Sequence, residues 1–414
     1  MIDLLVASSN SHKKICPDCT GAPTSHIIEW TTVFFDAFFA LISWPIEALW
    51  SGMGSPFSRL PYERPFIGLF QFLAGFTVAR IIQKPDDKIS LRSKILWDEA
   101  ERRGIKMFEI RLFGLPRDFY FAEFEGKMRT FNGLPRPKGP DSWSLRWMDN
   151  KSVMKKQFQK VGIPVAKGRA CFAEPTALKV LHEVGAPVIV KPHIGSRSRH
   201  TFIHIMDDKG LLKAFRSAKQ ISFLAMVEQE LQGFVFRITL INKKVVAVIR
   251  REPPRVMGDG VRTIRELALI ENQNPLRQGP TFHHIELGSE ADEELKRQKF
   301  TWQSVPKKGE WVVLNQKVGR GSGAVTVDVT HSVHPDNLVL FEKIGKFLDD
   351  NLVGIDFIIE DIAKPWIEQM PCGVIECNSL PFIDLHYFPF SGEVQLVAGN
   401  IWDIVFPGSR NSMG

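Results

Sequence analysis

The sequence predicts a protein of the α/β class with α+β subdomains, divided into two or three domains. A chain of 414 residues is long enough for several hydrophobic cores. Patterns of both helix and strand type occur. Residues 91–104 repeat apolar side chains at helical spacing, whereas 353–359 and 373–377 are short apolar runs typical of buried strands. The hydrophobic content of 44% is ordinary for a globular protein with such cores.

The charge balance is mildly basic. The chain has 53 Lys and Arg against 46 Asp and Glu, a net charge of +7, which suits anionic small molecules and acidic peptides. No long basic block with interleaved aromatic residues occurs in the sequence. We therefore expect no nucleic-acid partner.

The cysteines indicate the cellular compartment. Five cysteines without a regular spacing are typical of a reducing environment, so we expect a cytoplasmic protein. Cys16 and Cys19 form a single CxxC pair. Half of a zinc site, a redox pair and an incidental pair are all compatible with it. The lack of a second CxxC or of paired histidines nearby favours the incidental pair.

The N-terminal region, residues 1–84, is polar at its start and then unusually apolar. Its basic residues follow the short apolar opening and no cleavage pattern occurs, so we expect no signal peptide. Two aromatic-rich stretches, 27–50 and 65–79, are too short or too interrupted by charge for a spanning helix of roughly 20 residues. Three interpretations stay open: helices packed on the protein or on a second subunit, peripheral membrane contact, and a re-entrant hairpin.

Residues 85–141 predict a small α/β domain followed by a linker. The segment 91–104 has helical periodicity and ends in a glycine, which is a helix stop signal. Residues 105–113 and 120–131 have strand character on either side of the turn GLPRD. The proline-rich segment 134–141 predicts the linker.

A β-hairpin is predicted at 236–249, with its turn at Asn-Lys-Lys and two arginines, Arg250 and Arg251, at its end. Thr263 and Glu266 then have the spacing of a capping box, which predicts the start of a helix.

Acidic and amide side chains stand where a strand core would not accept them without a partner. Asp356 lies within the apolar run 353–359, and Glu376 and Asn378 close the run 373–377. Because they are two residues apart, Glu376 and Asn378 point to the same face of a strand. Two carboxylates and an amide oxygen are hard ligands that suit Mg²⁺. A strand-end acid followed by an N-cap asparagine explains the pair equally well.

Seven segments, in order, resemble the ATP-grasp ligases, and within them the cyanophycin synthetases and the related glutathione-type ligases. The segments extend from residue 147 to 407, nearly two thirds of the chain, and include DNKSVMKKQFQKVGIPVAKG, GAPVIVKP, REPPRVMGDGVRTIREL, DVTHSVHPDN, GIDFII, IECNSLP and VAGNIWDIVFP. The resemblance implies an ATP-grasp fold over 142–409, preceded by a pre-ATP-grasp-like domain at 85–141. It does not explain the apolar helical region 1–84.

The resemblance also implies a nucleotide site. Lys151, at a helix start, and Lys191, in the strand VIVKP, match lysines that contact ATP in the family. A surface lysine at a strand end is the alternative for Lys191. Residues 227–230 match the hinge beside adenine and ribose. The family usually has an acid two residues after the hinge glycine, but here Gly233 is followed by Phe234 and Val235. The ribose contact would then come from Glu228, from Glu230 or from neither.

The phosphate loop IGSRSRHT departs from the family pattern. Gly195 is present, but Ser198 and His200 stand where relatives commonly carry glycines, which let backbone N–H groups approach phosphate. Arg197 and Arg199 are candidates to supply those contacts through their guanidinium groups.

Two other segments carry weaker predictions. Residues 318–324, VGRGSGA, have Gly319 where the family has an asparagine, and they predict a mobile loop beside the substrate. Lys155 and Lys156, in the predicted helix 151–161, are compatible with the solvated face of that helix.

Three residues are candidates for catalysis. Arg237 and Arg250 would stabilise charge on an acyl phosphate, because transfer chemistry needs fixed cations where charge develops. A structural salt bridge is the alternative for each arginine. His386 matches a family position downstream of the Glu-x-Asn strand.

These observations predict an ATP-dependent carboxylate–amine ligase that forms an amide or peptide bond through an acyl phosphate. The expected cofactors are ATP and Mg²⁺, with Mn²⁺ as an alternative, and the metal ligands are Asp356, Glu376 and Asn378. The expected substrate is an amino acid or a peptide. A homo-oligomer and peripheral membrane contact through 1–84 stay open. Two other functions remain: an ATP- or peptide-binding protein with little turnover, and an ATP-grasp phosphotransferase.

Overall fold

The computed structural model describes residues 63–412, with gaps at 77, 117, 138–142, 194–198 and 280, and four residues nearer the N-terminus: Cys16, Cys19, Ser25 and His26. The apolar stretch 27–50 lies outside the described residues. In the described part of the chain, no helix is long and apolar enough to cross a membrane.

An antiparallel four-stranded sheet and two helices form the first unit. Its elements are α1 (Glu63–Gly75), β1 (Ala79–Ile82), α2 (Leu91–Arg102), β2 (Lys106–Leu112), β3 (Phe119–Phe124) and β4 (Lys127–Asn132). The strands lie in the order β1-β2-β3-β4. The helix and strands predicted in this region are confirmed. One difference is that 120–131 forms two strands, because Glu125 and Gly126 take positive φ angles of 50° and 74° and reverse the chain.

Helix α1 covers most of the second apolar stretch, 65–79. Its Phe70 packs against Phe119 of the sheet, with ring centroids 6.2 Å apart. The end of the stretch is not helical, because β1 begins at Ala79 and pairs with β2. Leu69 and Phe72 remain 51% and 64% exposed, so the sheet buries one side of this helix.

A second antiparallel sheet, of order β5-β8-β6-β7, carries two helices. The elements of this part are α3 (Lys151–Lys160), β5 (Gly168–Cys171), α4 (Glu174–Val184), β6 (Val188–Pro192), β7 (Phe202–Ile205), α5 (Asp208–Ala218) and β8 (Ala225–Gln229). Helices α4 and α5 bury residues such as Val180 and Phe215 against the sheet. Strand β8 extends to Gln229, so most of the predicted hinge, including Glu228, lies inside the strand.

A five-stranded antiparallel sheet, of order β13-β10-β9-β14-β15, dominates the remainder. The elements are β9 (Phe234–Ile241), β10 (Lys244–Glu252), β11 (Arg255–Met257), α6 (Ile264–Asn272), α7 (Ser289–Arg297), β12 (Trp311–Val313), β13 (Val325–Asp328), α8 (Pro335–Leu348), β14 (Leu352–Ile359), β15 (Gly373–Asn378), α9 (Asp384–Tyr387) and α10 (Val397–Val405). The hairpin β9–β10 and the capping box of Thr263 and Glu266 are confirmed. Strand β10 does not end at Arg250 and Arg251 but continues to Glu252.

The two faces of the five-stranded sheet are covered differently. Helices α3 and α8 close one face, where Phe158, Phe341 and Phe357 belong to a single core. At one end of the other face, α2 and α10 pack Trp97 and Trp402 against the sheet. The first unit therefore shares a core with the five-stranded sheet, and polar residues occupy the middle of that second face.

Candidate active site

Strand register brings the predicted acids together with an arginine. Asp356 of β14 lies opposite Arg237 of β9 and opposite Glu376 of β15. The next row on the same face contains Thr239, Gly354 and Asn378. Residues directly opposite each other in an antiparallel sheet point to the same face. The four predicted residues, Arg237, Asp356, Glu376 and Asn378, come from three different strands. The pairing of these strands therefore assembles the site.

Asp356 is held as an anion by guanidinium groups. Arg237 donates to both of its carboxylate oxygens, with Nη2 2.9 Å from Oδ2, and Arg251 Nη1 lies 3.7 Å from Oδ2. Asp356 is 3% exposed, and burial alone would raise its pKa. The two arginines outweigh burial, and the pKa of Asp356 is lowered overall.

The two adjacent arginines of β10 point to opposite faces, as the period of a strand requires. Arg250 pairs with Glu252 and lies over the ring of Phe234, 5.0 Å from its centroid, on the face away from Asp356. Arg251 faces Asp356 and also donates to the carbonyl of Val318, 2.8 Å away. The geometry therefore favours Arg251 over Arg250 beside the acids, and Arg251 also ties the segment 318–324 to the sheet.

His386 is buried beside the same rows. Its Nε2 lies 2.7 Å from Oγ1 of Thr239. Burial, together with the charge of Arg237, lowers the pKa of His386 to about 3. The imidazole is therefore neutral at pH 7, and it can hydrogen-bond but accepts a proton poorly.

A second cluster of charge lies on the sheet β5-β8-β6-β7. Glu228 is 1% exposed and pairs with both Lys155 and Lys191. Burial alone would raise the pKa of Glu228, but the two ammonium groups hold it at about 2. Lys155 also donates to the carbonyl of Ala166 at 3.2 Å. The expectation that Lys155 is solvated is wrong, whereas Lys156 is exposed.

Lys151 connects the two clusters. It is 5% exposed, and its Nζ lies 3.9 Å from Oε1 of Glu376. Burial lowers the pKa of Lys151, Glu376 opposes that effect, and the charge of Lys191 adds to it. Lys151 is the first residue of α3. Just before it, the carboxylate of Asp149 accepts a hydrogen bond from the backbone N–H of Ser379 at 2.9 Å, which holds the start of α3 beside the end of β15.

Two arginines that precede α3 in the sequence contact the turn that follows β15. Arg136 donates to the carbonyl of Ser379 and lies 3.2 Å from Oδ1 of Asp350. Arg92 donates to the carbonyl of Leu380 at 3.2 Å. Arg92 of the first unit and Arg136 of the predicted linker therefore contact the segment directly after Asn378.

The structure describes two of the remaining predicted nucleotide residues, Glu230 and Arg199. Glu230 pairs with His204. The backbone N–H of His204 donates to one carboxylate oxygen of Glu230 at 2.7 Å, and the ring Nδ1 of His204 lies 2.6 Å from the other oxygen. Arg199 is buried, at 8% exposure. Gly195 lies outside the described residues, as do Arg197 and Ser198. Glu230 therefore links β7 to β8 here.

The donor atoms at the sheet face fit the expected ligands. Among the described residues, the buried atoms without a hydrogen-bond partner include three at or beside this face: Arg237 Nη1, Asn378 Nδ2 and His386 Nδ1. The carboxylate of Glu376 is 37% exposed and has Lys151 as its neighbour. Carboxylates retain lone pairs beyond those used by one guanidinium, so Asp356, Glu376 and Asn378 together suit Mg²⁺.

The two cysteines of the CxxC pair lie close to two histidines. Folding brings Cys16 and Cys19 to His26 and to His200, which lies in the predicted phosphate loop. The expectation of an incidental pair rested on the lack of histidines nearby in sequence. His200 is near only in space, because it lies 181 positions after Cys19 in the sequence.

Comparison with known proteins gives relatives for most of the chain. A cyanophycin synthetase of Trichormus variabilis is 30% identical over 330 residues, which is 79% of this chain and 36% of that protein. A bifunctional glutathione biosynthesis protein, GshAB, of Mannheimia succiniciproducens is 33% identical over 273 residues, 63% of this chain and 35% of that protein. The chain thus spans about a third of the length of these relatives. No protein-family model matches it.

A solved structure agrees with the sequence relatives. The crystal structure of a bifunctional glutathione synthetase from Pasteurella multocida superposes with a TM-score of 0.57 at 25% identity, over 77% of this chain and 44% of that one. The motif order, the antiparallel sheets that carry the motifs and these likenesses lead to one conclusion. The chain has the ATP-grasp fold and is related to the cyanophycin synthetases and the glutathione-type ligases.

Proposed function

We propose that this chain is an ATP-dependent carboxylate–amine ligase. A substrate carboxylate oxygen attacks the γ-phosphorus of ATP and ADP leaves. An amine nitrogen then attacks the acyl carbon, phosphate leaves and a proton is released, which produces an amide or peptide bond. Relatives named for glutathione biosynthesis support an amino acid or a peptide as the substrate class.

The observation that carries this proposal is the shared face of Arg237, Asp356 and Glu376, with Lys151 3.9 Å from Glu376. This face combines hard oxygen ligands with fixed cations. Phosphoryl transfer requires that combination, because catalysis depends on positioning and on neutralising charge on the phosphate oxygens.

Each cluster has a separate task in this mechanism. Lys151 and Lys191 bind phosphate oxygens, and Glu228 keeps Lys191 at the strand surface. Asp356, Glu376 and Asn378 would hold Mg²⁺, which neutralises phosphate charge when it is bound.

The arginine and histidine act on the substrate side of the same face. The free Nη1 of Arg237 can donate to the acyl-phosphate oxygen that gains charge as the amine attacks. His386 is neutral at pH 7, since its pKa is lowered to about 3 by burial. It therefore orients Thr239 and substrate through hydrogen bonds and does not serve as the base.

Isotope transfer tests the reaction directly. The purified chain is incubated with ATP, Mg²⁺ and pools of amino acids and dipeptides, and ADP release is measured. For any active pool, the carboxylate is labelled with ¹⁸O. Transfer of one ¹⁸O atom to the released phosphate is expected, because the acyl phosphate retains the substrate oxygen.

Two glutamate variants control this experiment. Glu376→Gln should abolish ADP release, whereas Glu360→Gln, an exposed glutamate just past the end of β14, should not. A stable phosphorylated substrate without amide would identify a phosphotransferase. Nucleotide binding without ADP release in any pool would identify a binding protein.

A further inference from the structure

Four metal-ligating side chains meet in one place, and none of them is an oxygen ligand of the sheet face. One ligand atom each from Cys16, Cys19, His26 and His200 lies within 4.8 Å of all the others. Cys19 Sγ is 3.3 Å from His26 Nε2 and 3.2 Å from His200 Nε2. Cys16 Sγ is 3.7 Å from His200 Nε2, and the two Nε2 atoms are 3.3 Å apart.

These separations match those between ligands around one tetrahedral zinc ion. With ordinary zinc–sulfur and zinc–nitrogen bond lengths, tetrahedral angles place two nitrogens about 3.3 Å apart, nitrogen and sulfur about 3.5 Å apart, and two sulfurs about 3.8 Å apart. The nitrogen–nitrogen distance agrees with the expected value, and the three sulfur–nitrogen distances fall on both sides of theirs. Two thiols and two imidazoles are also the donor types that zinc prefers over Mg²⁺.

The surroundings of His200 prepare it to be a ligand. Its side chain is fully buried, and its Nδ1 lies 2.8 Å from Oγ of Ser217 on α5. With the Nδ1 proton directed at that hydroxyl, the lone pair of Nε2 faces the cysteines. Metal-bound histidines in proteins are commonly oriented in this way.

The backbone of His200 gives a second, independent indication. His200 has a φ angle of 49°, a left-handed conformation that a non-glycine residue adopts at an energetic cost. The ATP-grasp resemblance places this residue where relatives commonly carry glycine. A metal bond would offset part of that cost.

We propose that Cys16, Cys19, His26 and His200 bind one structural Zn²⁺ ion. Four protein ligands leave no open coordination position, so the ion has a structural and not a catalytic role. His26 and His200 are 174 residues apart in sequence. Zinc would therefore join the N-terminal segment to the chain between β6 and β7, and it would close a long loop of the unfolded chain.

Metal analysis of the full chain tests the proposal. The protein is purified without chelators, and zinc is measured by plasma mass spectrometry. We expect one zinc per chain. After zinc is exchanged for Co²⁺, we expect the visible bands of tetrahedral cobalt and near-ultraviolet thiolate-to-cobalt charge transfer.

The variants separate ligand loss from misfolding. His200→Asn removes the ligand and keeps a residue that tolerates positive φ, and Cys19→Ser removes a thiolate. Both should lose zinc by at least tenfold and lose the charge-transfer band. Cys171→Ala, which removes a buried thiol outside the cluster, should retain one zinc and the wild-type cobalt spectrum.

A thermal measurement on the wild-type chain is independent of any variant. Addition of a strong chelator should lower its melting temperature, and zinc should restore it. Full zinc content in His200→Asn and Cys19→Ser would overturn the proposal. So would a wild-type chain that takes up no zinc on reconstitution, or one that is isolated with a Cys16–Cys19 disulfide.

Discussion

The buried group Lys155–Glu228–Lys191 allows a quantitative prediction. Glu228→Gln removes the negative charge between two ammonium groups and leaves both of them in a buried site. The pKa of Glu228 falls from an ordinary 4.5 to about 2 in the fold. At about 1.4 kcal/mol per pKa unit, the ionised carboxylate contributes about 3 kcal/mol to stability at pH 7. We expect the variant to lose about that amount.

The pH dependence follows from the sign of the pKa change. Because the folded pKa is depressed, the contribution is present in full above about pH 4.5 and is lost as the pH falls towards 2. Hydrogen exchange in β6 and β8 measures it locally, without assuming that the whole chain unfolds in one step. At pH 7 the variant should lose protection by a factor on the order of 100 relative to the wild type.

A matched control is available in the same part of the fold. Glu183 pairs with Arg169 at the surface, where both side chains are more than 40% exposed. Glu183→Gln should change exchange in β6 and β8 far less than Glu228→Gln, because exposed pairs contribute little. Equal loss of protection in the two variants would refute the reasoning, as would a Glu228→Gln difference that is unchanged when exchange is compared at pH 3.

Further predictions concern the proposed ligase site. Lys191→Ala should weaken binding of a non-hydrolysable ATP analogue by about 1.5–3 kcal/mol in calorimetric titration, the scale of a hydrogen bond to a charged group; an unchanged Kd would move the phosphate site elsewhere. Arg251→Met should slow ATP turnover more than Arg250→Met, because Arg251 lies 3.7 Å from Asp356; the reverse order would contradict the assigned faces. His386→Gln should lower kcat without shifting the pH profile between pH 5 and 8, since its pKa is about 3; loss of a limb of the profile would show that His386 titrates there.

Much of the site was predictable from local sequence. The acids at Asp356 and Glu376 stand out because a strand core rarely accepts a carboxylate, and that argument needs no tertiary contact. The capping box of Thr263 and Glu266 and the hairpin β9–β10 are likewise local, since turn and cap chemistry act within a few residues. The family resemblance also depends on motif order, which is a property of the sequence.

The choice between adjacent residues was not predictable. Arg250 and Arg251 are neighbouring residues of the same type. Only the pairing of β10 with β9 decides that Arg251 faces Asp356. A slip of one residue would reverse the two faces. Lys155 is a similar case, because a lysine in a polar helix is usually solvated. Its burial depends on Glu228, 73 residues away in β8.

The sequence by itself determined the fold class, because periodicity and short motifs record local geometry; the oxygen ligands and the nucleotide-site lysines that it indicates stay predictions. The tertiary structure decided which face each arginine takes, which lysine is buried, and that the cysteines of CxxC meet His200. The physical reason is distance along the chain. Strand register and the packing of helices on sheets join residues tens to hundreds of positions apart, and no local pattern encodes which of them will meet.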